Sequence, residues 1–296
     1  MPPGGAIAAA GSYVVTIDGT SAIAKSIEGG TPVGEVVTVP SGPNKPAGKT
    51  IGRLRYEDIR LEMGLAMGQP MLDWANSLLE NRHERKQGAV TYGDANHKAR
   101  GYMDFRDALL TEFTIPASDA SSKDLAAFTI RMAVQDTIRR AGDGVEIPAV
   151  NVKQKAFLSS NFRLTLGDLP TTRVSRIDAL SFTCQVQMDD VGVQRIPTPQ
   201  ASLTETPDLV ITFSAADEKA WDQWFTDFCV KGNSGDDKRL SGTLEWLDPG
   251  GRRLAALSLE RVGIFGLADE SAAANSESIR KKTARLFFET AKLAIP

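Results

Sequence analysis

The stretch Asp208–Leu247 reads DLVITFSAADEKAWDQWFTDFCVKGNSGDDKRLSGTLEWL. Its apolar residues recur first in a β-branched run, then at three- and four-residue steps, and finally at every second position. This pattern predicts a strand at Asp208–Phe213, an amphipathic helix at Ala216–Val230 and a second strand at Gly242–Leu247. We therefore expect a strand–helix–strand unit at the centre of this half of the chain.

The first half of the chain contains the same unit. Leu54–Leu61 (LRYEDIRL) predicts a strand, Gln69–Glu80 (QPMLDWANSLLE) a helix, and Gly88–Tyr92 (GAVTY) a second strand. The helical tryptophans Trp74 and Trp224 lie 150 residues apart (224 − 74). The repeat at this spacing indicates one domain that occurs twice in the chain.

The flanking segments follow the same order in both halves. Tyr13–Ile17 (YVVTI) corresponds to Phe162–Leu166 (FRLTL), and Met103–Ile115 corresponds to Arg253–Phe265 as a long strand after the unit. The expected fold is therefore mainly β with one helix per domain, in two tandem small antiparallel barrels or sandwiches. We predict a disordered tail at 1–12, a first domain at 13–140, a linker at 141–160 and a second domain at 161–296.

Composition excludes several classes of protein. The 296 residues are 42% hydrophobic, enough for sizeable cores, and the net charge of −3 produces no strong field for nucleic acid. Cys184 and Cys229 lack metal-ligand spacing and are expected to be buried thiols in a reducing compartment. The N-terminal segment has no basic residue before its apolar stretch, and no run is long enough for a membrane span. We therefore expect a soluble cytoplasmic protein.

No arrangement of residues predicts catalysis, a cofactor or a metal. Gly48-Lys49-Thr50 resembles the end of a phosphate-binding loop, but the required earlier glycine is absent and a strand-like segment follows. The acidic segment Gly232–Asp237 lacks the spacing of a Ca²⁺ loop. The two histidines, His83 and His97, stand beside no nucleophile and are expected at the surface.

The aromatic residues of the two helices are expected to belong to the core. At helical spacing, an aromatic stripe is more often packed inside a domain than used to stack on a sugar or base. We assign this structural role to Trp74, Trp221, Trp224 and Phe228. Trp74 and Trp224 are predicted to occupy equivalent buried positions.

Taken together, these segments resemble the contractile phage tail-tube family, which includes the inner-tube proteins of type VI secretion and of extracellular contractile injection systems. The resemblance is carried by MLDWANSLLE and WDQWFTDF in the helices, by GNSGDDKRLSGTLEWL after the second helix, and by PASDASSKDLAAFTIRMA in the first half. It implies a small β-barrel with one helix and assembly into rings that stack into a hollow tube. Two domains per chain imply a pseudo-sixfold ring of three chains.

The same resemblance implies the partners and the location. It implies self-association into rings and contacts with neighbouring tube, baseplate or sheath proteins. DNA or protein cargo would pass through the lumen without specific binding. The protein would be cytoplasmic during assembly and then part of a virion tail or injection-system particle.

The segment Thr31–Thr50 is expected to be a long excursion that orders only against a partner. It is rich in Gly, Pro and Thr, and Val36, Val37 and Val39 are its few apolar anchors. We predict that it contacts the next ring along the tube axis. The residues assigned to this ring-stacking loop are Glu35, Val36, Val37, Val39 and Lys49.

Two other functions remain open at this point. A monomeric two-domain module could bind carbohydrate or peptide at the tryptophan-bearing helices, and an enzyme would depend on Gly48-Lys49-Thr50 alone. The mass in solution separates a ring-forming protein from the monomeric module.

Overall fold

The computed structural model describes residues 11–40, 47–147, 157–189, 198–270 and 280–296. The first half contains β1 Ser12–Ile17, β2 Thr20–Glu28, β3 Pro32–Val39, β4 Gly48–Tyr56, β5 Ile59–Met63, α1 Gln69–Leu79, β6 Arg85–Gly93, β7 Ala99–Ile115, β8 Ser118–Asp119, β9 Phe128–Ala133 and β10 Asp136–Ala141. The second half contains β11 Phe162–Leu166, β12 Val174–Ile177, β13 Leu180–Asp189, β14 Thr198–Glu205, β15 Leu209–Ser214, α2 Glu218–Phe225, β16 Leu240–Leu247, β17 Arg253–Asp269, β18 Lys281–Phe287 and β19 Thr290–Ala294. The fold is mainly β with one α-helix in each half, as the sequence predicted.

The first half forms a closed barrel. Its strands pair in the order β7-β6-β1-β2-β5-β9, and β9 pairs back onto β7. The core contains the stacked rings of Phe113 and Phe128, whose centroids lie 5.5 Å apart. Trp74 of α1 is buried in the same hydrophobic cluster. Because alternate residues of each strand face inward, a short barrel of this kind fills its own interior.

The second half forms a barrel with an open seam. Its described strands pair in the order β11-β16-β17-β18-β15-β12, with no ladder between β11 and β12. Trp221 of α2 stacks on Phe213 of β15 at 4.6 Å between ring centroids. One hydrophobic cluster runs from the first barrel into the second, so the two cores are continuous.

Irregularities in the strands repeat between the halves. Asp107 in β7 and Arg261 in β17 both have left-handed backbones, with φ of 45° and 56°. The ladder of β7 with β9 shifts register between Leu110 and Glu112. The ladder of β17 with β18 shifts register between Ile264 and Gly266. Bulges are specific features of a fold. Their repetition at matching places is strong structural support for duplication.

The halves also exchange strands. β13 of the second half pairs with β7 of the first, and β8 of the first half pairs with β12 of the second. The element order fits the predicted boundaries, since the two halves begin with the equivalent strands β1 and β11. These boundaries remain a prediction, and residues 1–10 of the tail and 148–156 of the linker lie outside the described residues.

Several local predictions were wrong. Thr31–Thr50 is a paired hairpin of β3 and β4 rather than an irregular excursion, because the β-branched patch of β3 finds a second alternating strand in β4. The single strand expected at Leu54–Leu61 is divided between β4 and β5. The second helix changes from α to a π-helical turn at Thr226–Val230.

Within the described part of the chain, no helix has the length and apolar character needed to cross a membrane.

Candidate functional site: the contact between the two barrels

The contact between the barrels begins where β13 extends the sheet of the first barrel. Its residues Leu180 to Thr183 lie opposite Ile115 to Glu112 at the end of β7. The hydroxyl groups of Ser181 and Thr114 face each other across this ladder at 2.8 Å. Phe113 is fully buried beneath it. The end of β7 is therefore covered on both edges, by β9 and by β13.

Asn76 joins helix α1 to the edge strand of the second barrel. Its amide nitrogen donates to the carbonyl oxygen of Leu293 in β19, and its amide oxygen accepts from the N–H of Leu293, both at 2.8 Å. The Asn76 side chain is buried, with 8% of the residue exposed. On this edge β19 pairs with no other described strand, so the amide takes the place of a neighbouring strand and satisfies a buried backbone donor and acceptor.

The hairpin of β13 and β14 lies across the end of α1. The N–H of Thr204 donates to Oδ1 of Asn81 at 2.9 Å, and the Thr204 hydroxyl donates to the carbonyl oxygen of Leu78 at 3.0 Å. Arg85 at the start of β6 donates to the carbonyl oxygen of Pro199. These bonds join the hairpin to the last turn of α1, to the residue Asn81 that follows it and to the start of β6.

The first half in turn closes the seam of the second barrel. Ser118 of β8 is buried and accepts a hydrogen bond from Nε1 of Trp246 at 3.0 Å. The ring of Phe157 packs edge-on against Trp246, with centroids 5.8 Å apart. The N–H of Ala120 donates to the carbonyl oxygen of Ser175 in β12. Each half therefore supplies groups that complete the other.

The surface of the second barrel that corresponds to this contact is exposed. Among the described strands, the end of β17 at Gly266–Asp269 pairs with β18 only. Leu267 and Asp269 remain accessible, although their counterparts Phe113 and Ile115 are buried. An open groove runs along α2 and is lined by residues that include Asp222, Gln223 and Thr226. The second barrel thus presents a face that the first barrel keeps covered.

The helical aromatic residues differ in burial. Trp74, Trp221 and Phe228 are buried, with 1%, 0% and 5% exposure. Trp224 is only half-buried, contrary to the expectation that it matches Trp74, and its indole N–H has no partner among the described residues. The Trp74 indole donates to the carbonyl oxygen of Glu84 at 2.8 Å. The half-buried ring lies on the helix that borders the open groove.

The residues predicted to form a ring-stacking loop lie on the β3–β4 hairpin. Val36, Val37 and Val39 are exposed, with 58%, 41% and 48% of each residue accessible. Glu35 and Lys49 are exposed in β3 and β4. A group of exposed valines is typical of a surface that contacts a partner. A two-stranded hairpin is also only marginally stable by itself, so a partner would stabilise it.

The residues tested for chemistry lie apart. Lys49 is in strand β4 and not at a helix N-terminus, so the geometry of a phosphate loop is absent there. His83 accepts or donates one bond to Asn81, and burial lowers its pKa. His97 occupies a turn with a left-handed backbone. In the described ranges, no three His, Cys, Asp or Glu side chains are grouped to hold a metal ion.

Sequence reasoning did not identify Asn76, Ser118 or the exchange of β13. Asn76 did carry a signal, as a polar residue between apolar ones in QPMLDWANSLLE. A buried polar group requires a partner, so its position could have been singled out. Nothing near Ser118 separates it from the other serines of its loop.

Residues 10–137 match the family model of the T4-like virus tail tube protein gp19. No curated protein matches the sequence. Solved structures with a similar fold include the sheath–tube complex of an extracellular contractile injection system, PVC, in the extended state, with 22% identity and a TM-score of 0.39 over 44% of this chain and 89% of that chain. The baseplate of the anti-feeding prophage has 15% identity and a TM-score of 0.39 over 51% of this chain and 97% of that chain. Hcp1 from Flavobacterium johnsoniae has 17% identity and a TM-score of 0.33 over 46% of this chain and 98% of that chain.

Proposed function

We propose that this chain, whose residues 10–137 match the family model of the T4-like virus tail tube protein gp19, is a structural subunit of a phage tail or contractile injection-system tube. The single observation that carries the proposal is that match, because the internal repeat extends the same fold to the second half. The chain then supplies two of the units that a ring requires. Three chains make a pseudo-sixfold ring, which stacks on other rings or caps a tube.

The contact inside the chain supports ring formation. The second barrel sits on the first through unlike surfaces, which is a head-to-tail arrangement. Head-to-tail contacts generate a ring when the rotation closes. The partners in this proposal are further copies of the chain and neighbouring tube, baseplate or sheath proteins. Cargo passes through the lumen without specific binding, and assembly takes place in the cytoplasm before the particle is complete.

The ring stoichiometry is tested by mass. Purified protein is expected to give a species of three chains, each of 31.9 kDa, in native mass spectrometry or mass photometry. Electron-microscopy classes should show a ring with six similar lobes. Six chains per ring would contradict the threefold assembly but keep the tube. A strict monomer at high concentration would contradict both and favour the binding module.

Ring stacking is assigned to the outer part of the β3–β4 hairpin. Deleting Glu35–Lys49, which includes residues 41–46 outside the described part of the chain, is expected to leave folded rings that no longer stack into tubes. The reason is that Val36 and Val37 of β3 are exposed in the single chain and would be covered by a neighbouring ring. Electron microscopy of the variant beside the intact protein measures tube length. Normal tubes, or loss of the rings themselves, would contradict the stacking assignment.

A further inference from the structure

The hairpin of the first barrel has no place on its own barrel equivalent to the place that the second hairpin occupies. β13 and β14 lie on β7, α1 and β6 of the other barrel. β3 and β4 pair only with each other among the described strands, and Val33 and Ile51 are exposed. The chain therefore contains one hairpin that extends the sheet of the other barrel and one hairpin of the same design whose described strands extend no other sheet.

The exposed face of the second barrel matches this hairpin. The end of β17 corresponds to the part of β7 that receives β13, since both follow a bulge and pair on their other edge with equivalent strands. Thr114 lies opposite Thr129, and its counterpart Ala268 lies opposite Thr283. Among the described strands, the unpaired edge of β17 thus has the position and neighbours of the occupied docking site on β7.

The helix groove also has a matching strand in the first barrel. β10 corresponds to β19, because Met103 lies opposite Arg139 as Leu257 lies opposite Leu293. In the internal contact, β19 is the strand that α1 holds, through the two bonds between Asn76 and Leu293. The groove along α2 is therefore the expected place for β10 of a second copy, because it lies on the corresponding helix.

We infer that the end of β17 and the groove along α2 form the docking site for the first barrel of a second copy of this chain. The β3 strand of that copy extends the sheet at Gly266–Asp269, and its β10 strand lies in the groove. This inference rests on the proposed function and specifies the surface through which the ring closes. The half-buried ring of Trp224 lies on the same helix and is covered by the arriving copy.

The internal contact also gives the register. In the first hairpin Val33 lies opposite Arg55, and in the second hairpin Thr183 lies opposite Glu205. Both residues of the second pair stand 150 positions after those of the first, so each residue of β3 corresponds to the residue of β13 at this spacing. Ser181, whose hydroxyl group lies 2.8 Å from that of Thr114, therefore corresponds to Thr31. Thr31 of one copy is expected to lie directly opposite Ala268 of the next, with their Cβ atoms on the same face of the sheet.

A disulfide cross-link tests this register. The variant carries Thr31→Cys and Ala268→Cys, both at exposed positions, together with Cys229→Ser, because Cys229 is an exposed free thiol. Mild oxidation is expected to convert most of the protein into covalent trimers on a denaturing gel. The matched control carries Asn96→Cys in place of Thr31→Cys, at an exposed turn away from β3, and should remain monomeric on the same gel.

The outcomes separate the docking site from the function. Circular dichroism of each variant establishes that the barrels are folded, and native mass establishes whether rings form. Covalent trimers that depend on Thr31→Cys support the docking site. Rings that form without this cross-link, or a disulfide within one chain, would overturn the docking site and leave the proposed function standing. Folded chains that neither assemble nor cross-link would overturn both.

Discussion

Replacing Asn76 with alanine is expected to destabilise the chain by about 2–5 kcal/mol. The amide makes two buried hydrogen bonds to Leu293, and alanine leaves the N–H and C=O of that residue unpaired. A buried backbone group without a partner costs roughly 1–3 kcal/mol, which exceeds the net value of an ordinary hydrogen bond. Urea denaturation followed by circular dichroism measures the loss.

Two further variants separate the hydrogen bonds from burial. Asn76→Leu keeps the volume but cannot bond, so it should be nearly as unstable as Asn76→Ala. Asn233→Ala removes an exposed asparagine that bonds to Asp227 and should change stability by less than about 0.5 kcal/mol. An unfolding midpoint of Asn76→Ala equal to that of Asn233→Ala would show that water replaces the amide.

Replacing Trp221 with alanine is expected to cost about 3–5 kcal/mol, the range for a large aromatic residue removed from a core. Its ring is fully buried and stacks on Phe213, and its indole donates to the carbonyl oxygen of Pro170 at 3.2 Å. The variant should lose the folded second barrel at a lower urea concentration than the intact chain. Chemical denaturation with near-ultraviolet circular dichroism follows this transition.

Trp224→Ala is the matched control, one helical turn away. It should cost clearly less in the isolated chain, because Trp224 is half-buried and its indole N–H makes no bond among the described residues. Equal losses for the two variants would contradict the assignment of Trp221 as the main aromatic anchor of α2. The comparison is made at low protein concentration, since assembly adds stability through mass action.

The sequence was sufficient for the repeat, the fold class and the long strands. Met103–Ile115 has mixed periodicity and was predicted to be a strand from its counterpart Arg253–Phe265, and β7 covers that segment. The strand–helix–strand unit appeared in both halves because the period changes from two to three or four within a few residues. Local periodicity reports which face of an element is apolar, and that was enough for these elements.

The parts that the sequence did not predict depend on distant partners. Thr31–Thr50 was predicted to be irregular because its glycines and prolines interrupt the alternating pattern of the two strands, β3 and β4, that pair with each other. The half-burial of Trp224 could not be predicted from the sequence. Trp74 is buried by its neighbours in the first half, and the equal spacing of the two residues does not show whether Trp224 has such neighbours. The exchange of β8 and β13 joins residues more than fifty positions apart in sequence, and such pairings leave no local pattern.

The open seam of the second barrel makes the joints of the proposed ring unequal. Inside a chain, Ser118 and Phe157 enter that seam and contact Trp246. The first barrel is closed between β1 and β2 and offers no seam to an arriving copy. At the joint between copies, Pro32 replaces Phe182 and lacks its ring and its N–H group. Strong and weak joints would then alternate around the ring, so the three joints between chains would open before the three joints within chains although the outline has six lobes.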